Sequence, residues 1–172
     1  MKRFIFSMSI LFMISGCIVS CSTEGTDNCP EDFTGALTTN EEKLVGTWQL
    51  TAIDAEDAVD ISDDDTENPS TDLFAQYSDC QKDADYTFGS DRSYTYTQGQ
   101  NETDCPNKAA LGGSWQISSN TLRFVYACNV QNLVIIFNGD ETEFSFSDNF
   151  TITDVDGNNV VTDITFTYSL VP

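Results

Sequence analysis

The sequence predicts an all-β chain: an antiparallel up-and-down β-barrel of eight or nine strands. Three observations carry this. Apolar and aromatic residues recur at every second position in many short runs, the period of a half-buried strand. Turn signals such as Ser119-Asn120, Asn138-Gly139 and Asp156-Gly157 separate those runs. A glycine-x-tryptophan element opens two of them, at Gly46-Thr47-Trp48 and Gly113-Ser114-Trp115. Many short strands joined by tight turns favour a closed sheet, because closure removes the edges. The two tryptophans are expected to plug one end.

The elements follow in order. Lys2 and Arg3 precede an apolar run from Phe4 to Ile14. That run is too short for a spanning helix of about twenty residues, and the pattern is that of a secretory signal over residues 1–20. Both Ile14-Ser15-Gly16-Cys17 and Ile18-Val19-Ser20-Cys21 resemble the lipobox of bacterial lipoproteins, whose cysteine is acylated. Cys21 is preferred over Cys17. A polar stretch follows it, and removing Cys17 leaves four cysteines, Cys29, Cys80, Cys105 and Cys128, an even set. The expectation is a lipid-anchored protein in a Gram-negative envelope, at the outer membrane, with the face left open. Its partner there is the bilayer, and disulfides persist in that compartment.

Residues 21–40 read as a flexible tether, rich in Ser, Thr, Gly and acids, with Cys29 as the point where a disulfide would pin it. Residues 41–172 form the barrel domain. Asn40 or Thr39 caps a helical turn through Val45, with Glu41 and Glu42 at its positive end. Gly46 ends it, and Thr47 to Ile53 is the first strand. Asp54 to Ser70 reads as a long acidic loop. Ser70 or Asp72 then caps a short helix through Leu73, Phe74 and Tyr77, which lids a barrel mouth. Tyr86 and Phe88, a turn at Gly89–Arg92, then Tyr94 and Tyr96 make a hairpin. Further strands are expected at 113–118, 121–127 and 130–137, the last apolar on both faces at Leu133-Val134-Ile135-Ile136-Phe137. Phe144 and Phe146, Phe150 and Ile152, and the run Ile164, Phe166, Tyr168 and Leu170 complete the sheet.

Charge limits the partners. The chain has 7 basic and 28 acidic residues, a net charge of −21, and loss of Lys2 and Arg3 takes it to −23. Such a surface repels nucleic acid. The chain has no histidine, and so lacks the commonest general base and metal ligand. No nucleophile stands beside a recognisable base, so the expected role is binding without catalysis or cofactor.

Leu44 to Leu50, Cys80-Gln81-Lys82-Asp83, Tyr86-Thr87-Phe88, Ser90-Asp91, Tyr94-Thr95-Tyr96, Cys105 and Gly113-Ser114-Trp115 together resemble the lipocalin-like domain of small bacterial lipoproteins. The resemblance covers about residues 41 to 172. It implies an up-and-down barrel on a lipid anchor and no activity. The later loop and strand motifs of true lipocalins are absent.

Three constellations are candidate sites. Trp48, Leu50, Phe88, Tyr94, Tyr96, Trp115, Phe124, Tyr126, Phe144, Phe146 and Tyr168 converge in a barrel. They make either a pocket for a small hydrophobic or amphipathic ligand, with tyrosine hydroxyls orienting it, or a filled core. Asp60, Asp63, Asp64, Asp65 and Glu67 offer oxygens to Ca²⁺, but eight acids among residues 54–67 also describe a solvated loop. Asp154-x-Asp156-Gly157-Asn158 has part of a calcium-loop pattern without its final Glu and reads as a hairpin turn. Among the cysteines, Cys80 with Cys105 brackets the tyrosine hairpin, leaving Cys29 with Cys128 to staple the tether.

Overall fold

A computed structural model describes residues 29–172. The proposed signal and both lipobox cysteines, Cys17 and Cys21, lie outside the described residues. The described chain is antiparallel β throughout, with two one-turn helices and a 3-10 turn. The strands are β1 (Gly46–Val59), β2 (Ser70–Asp72), β3 (Ala84–Phe88), β4 (Ser93–Gln98), β5 (Ala109–Ser118), β6 (Thr121–Tyr126), β7 (Asn129–Val134), β8 (Ile136–Phe137), β9 (Glu143–Thr153) and β10 (Asn159–Leu170). Nine of them run in the order β7-β6-β5-β4-β3-β1-β10-β9-β8, and β2 pairs beside β1. This meander makes a nearly closed barrel. Its two ends are joined through the chain itself, because only Ile135 separates β7 from β8.

The two glycines before the tryptophans serve different local needs. Gly46 has φ +139°, where a side chain is strained. A Cβ on Gly113 would stand 2.0 Å from the Val125 carbonyl oxygen, so only glycine allows β5 to approach β6 this closely. Both tryptophans point inward and are fully buried.

α1 (Thr39–Glu42) closes the barrel base. Its cap is Thr38, one residue before the expected Thr39 or Asn40. Glu41 completes a capping box: the Thr38 backbone N–H donates to its carboxylate at 2.7 Å. Arg92, in the β3–β4 turn, grips the same carboxylate bidentately at 2.6 and 2.9 Å.

Residues 29–38, assigned to the tether from sequence, lie as a strap along the outer wall of β5 and β6. The Phe33 N–H donates to Ser114 Oγ at 2.9 Å, and Ser114 donates to Asp32 at 3.0 Å. The Arg123 guanidinium sits over the Phe33 ring. Arg92 donates to the carbonyls of Gly35 and Ala36. Both disulfides join the expected cysteines, Cys29 with Cys128 and Cys80 with Cys105.

Several boundaries differ from the sequence reading. β1 does not stop at Ile53 but runs to Val59, through what read as acidic loop. Its inward positions Ala55 and Val59 are buried while Asp54, Glu56 and Asp57 face water, so the acids decorate a strand instead of breaking it. β5 starts four residues early because Ala109, Ala110 and Leu111 pair with Gln98, Thr97 and Tyr96. The helix expected at 73–77 is a 3-10 turn (Phe74–Gln76), followed by α2 (Asp79–Lys82). The strand expected at 130–137 breaks at Ile135, which is buried and donates its N–H to the Asn120 carbonyl. The Asn138 turn runs to Thr142: the Asn138 side chain accepts the N–H groups of Thr142 and Glu143, making a longer loop than a two-residue hairpin.

Candidate functional site

The interior has two unlike ends. At the base, Trp48, Phe88, Trp115, Phe124 and Phe144 are all at most 1% exposed. Trp48 meets Phe144 edge-on at 5.1 Å between ring centroids, and Trp115 meets Phe88 at 5.2 Å. The polar atoms here are matched. Trp48 Nε1 donates to the Leu44 carbonyl at 2.7 Å and Trp115 Nε1 to the Gly89 carbonyl at 3.2 Å. Burial disfavours the Glu41 carboxylate, but Arg92 and the bonds from Thr38 and Ile117 outweigh it and bring its pKa from 4.5 to about 2. This half is solid.

Toward the other end the same alternation supplies tyrosine. Tyr86 faces Tyr96 across β3 and β4 at 4.9 Å, and Tyr86 meets Tyr168 of β10 at 5.1 Å. Tyr94 packs on Phe124 at 4.5 Å. Phe146 stacks on Phe166 at 5.2 Å. Tyr96, Tyr126 and Phe146 are only half-buried. Burial raises the tyrosine pKa values: Tyr94 to about 12, and Tyr86 and Tyr168 further. These hydroxyls stay protonated at neutral pH.

A recess of about 190 Å³ opens here. Leu50, Ile53, Tyr77 and Phe166 form its apolar walls. Tyr96, Tyr168, Gln81 and Gln98 supply its polar atoms. Gln81 belongs to α2, which Cys80–Cys105 ties to the β4–β5 loop. The Asp83 carboxylate beside it accepts the Asn101 and Glu102 N–H groups at 2.7 and 3.1 Å, ordering that loop. Two side-chain bonds fix the glutamines: Gln81 Oε1 accepts from Ser78 and Gln98 Nε2 donates to the Gln81 carbonyl.

Of the eleven residues singled out from sequence, Trp48, Phe88, Trp115, Phe124 and Phe144 fill the base. Tyr94 and Tyr126 lie between the ends, and Phe146 reaches the mouth. Leu50, Tyr96 and Tyr168 line the recess. Sequence reasoning left out Ile53, Tyr77, Gln81, Gln98 and Phe166. Phe166 lies two residues from Tyr168 on the same face, a signal that was available. The glutamines gave none.

The acidic residues form a separate cleft of about 430 Å³ beside the β9–β10 turn, with Asp60, Asp63, Asp65, Glu67, Asp154 and Asp156 on its walls. They do not converge. Among the described residues no three acids, cysteines or histidines are placed to hold a metal ion. Asp63, Asp64, Asp65 and Glu67 are exposed. The most enclosed, Asp60, already accepts the Asn68 and Ser62 N–H groups at 2.9 and 3.2 Å, and the Asn68 bond leads in lowering its pKa. Asp154 accepts the Asn158 N–H at 2.7 Å, which is the work of a hairpin turn.

Among the described residues no helix is long and apolar enough to cross a membrane. No curated protein and no solved structure matches this chain. The model of one family, described as a domain of unknown function (DUF5004), matches residues 22–171, and the chain belongs to that family.

Proposed function

We propose that this protein is a lipocalin-like binding module, held outside the cytoplasm by acylation at Cys21, that takes a small ligand with an apolar face at the open end of its barrel. The observation that carries the reading is the recess beside Tyr168, open to solvent above a buried cluster of rings. A concavity that joins apolar side chains to convergent polar groups is the ordinary make-up of a ligand site. At about 190 Å³ it is smaller than typical drug-sized pockets of about 300–1,000 Å³, so the ligand is small or only its tip enters. Binding, not catalysis, is the proposed role.

The test is a saturable fluorescence titration with a hydrophobic dye, repeated on Leu50→Trp, which fills the recess. Saturation by the parent and its loss in the variant support the reading; no saturable signal from the parent overturns it. The anchor is tested separately by mass spectrometry of the mature N-terminus, where an acylated Cys17 would displace Cys21.

A second reading is an accessory lipoprotein that meets a protein through its outer surface. Val134 and Ile136, 64% and 65% exposed on either side of buried Ile135, favour it. Val134→Ser with Ile136→Ser would then abolish a partner recovered by cross-linking, and would leave dye binding unchanged.

A further inference from the structure

We infer that the mouth recess takes a neutral, ring-shaped compound bearing several hydroxyls: a single sugar residue, free or at the end of a glycan. This rests on the reading of the recess as a binding site and narrows its ligand.

Several polar atoms of the recess are open to water and have no protein partner; among the described residues no fully buried side-chain polar atom is unpaired. Tyr168 is 4% exposed, and its hydroxyl makes no hydrogen bond to a described residue. The hydroxyls of half-buried Tyr77 and Tyr96, Nε2 of exposed Gln81 and Oε1 of half-buried Gln98 also make none, while the sister atoms of the two amides are engaged within the protein. A wholly apolar ligand would displace water from these groups and leave them unpaired, which opposes binding. The ligand therefore brings hydrogen-bonding groups of its own.

Their placement sets where on the ligand those groups lie. Tyr168 comes from β10, Tyr96 and Gln98 from β4, Gln81 from α2, and Tyr77 from the turn before it. Donors and acceptors thus stand on several sides of the recess. A ligand with polar groups around its rim matches this; one with a single polar head does not. Between the polar groups, Leu50, Ile53 and Phe166 supply apolar surface to meet the C–H face of a saturated ring.

The lining itself is uncharged: no Asp, Glu, Lys or Arg lines the recess. A net charge of −21, with the acidic cleft nearby, turns anions away. The same charge draws cations, but the lining gives them no carboxylate to pair with; glucosamine binding more tightly than the methyl glycosides overturns the neutral ligand. The volume suits one ring and not an acyl chain.

The experiment uses the full chain purified in detergent and saturation-transfer NMR with calorimetry. The probes are methyl glucoside and methyl galactoside, with glucuronate and glucosamine as charged counterparts and phenol and cyclohexanol as single-hydroxyl rings. A methyl glycoside should bind saturably at about millimolar concentration. Glucuronate should bind at least tenfold more weakly. The Tyr96→Phe, Tyr168→Phe double variant should lose about tenfold in glycoside affinity with an unchanged thermal midpoint. Glycoside binding indifferent to those two hydroxyls overturns the inference. If phenol and cyclohexanol bind and the glycosides do not, the inference fails and the binding site stands. If the dye and every probe fail together, both fall.

Discussion

The base and the mouth of this barrel are built from one alternating pattern, yet the polar groups of the base are paired within the protein and those of the mouth are not. At the base, α1 lies across the opening and Glu41, Arg92 and two indoles find partners within the protein. At the mouth, α2 and the 3-10 turn stand to one side, and hydroxyls and amide atoms face a recess. The difference lies in what the chain offers as a lid. A capped turn with a carboxylate can be clamped by one arginine, whereas the mouth segment is held by a disulfide and an Asp83 loop at its margin. A ring pattern therefore marks the inside of a barrel without marking where its polar groups find partners.

The contrast can be tested by how much each region contributes. The largest expected effect is loss of the Cys29–Cys128 link. It closes a sequence separation of 99, for which chain entropy gives about 4–5 kcal/mol, against about 3–4 for the separation of 25 at Cys80–Cys105. Urea denaturation of the two double-serine variants should rank them in that order. Next is Arg92→Ala, which strands a carboxylate 1% exposed and should cost about 3–5 kcal/mol. A cost under about 1 kcal/mol in the same measurement would erase the distinction between the ends.

The pH dependence should follow Glu41. Its pKa is lower folded than unfolded, so its contribution is complete above about pH 5 and is lost as pH falls from about 4.5 toward 2. The amount is of order 3 kcal/mol, and Glu41→Gln should flatten that part of the stability profile. Smallest is the effect at the mouth. Tyr96→Phe should change stability by less than about 0.5 kcal/mol, because its hydroxyl makes no bond to a described residue. A loss of about 3 kcal/mol or more would mean that the fold depends on the mouth as heavily as on the base.

The barrel was legible because alternation survives at nearly every inward position. Phe88, Phe124, Phe144 and Tyr168 sit on the faces that a period of two assigns them. The disulfides were legible because four cysteines remained and one pair bracketed a hairpin. The acids of β1 hid its second half, since Asp54, Glu56 and Asp57 resemble a loop when charge is weighed above phase. Val130 to Phe137 looked continuous because apolarity on both faces hides the turn inward at Ile135. The Arg92 clamp could not be read. It joins residues 51 apart, and neither local propensity nor periodicity encodes a pairing across the barrel end. The strap escaped for a related reason: its polar composition suggested a chain in water, while Phe33, Leu37, the Arg92 and Ser114 hydrogen bonds and the Cys29–Cys128 disulfide dock it.

The covalent bond at Cys29 also decides where mechanical load goes. Any pull arriving through earlier residues passes at Cys29 into Cys128 and so into the corner between β6 and β7. The strap, the capped turn and the arginine clamp lie downstream of that junction and carry no tension while it is intact. Reduction would reroute the same pull through Phe33 and Ala36, peeling the strap from one end toward the capped turn.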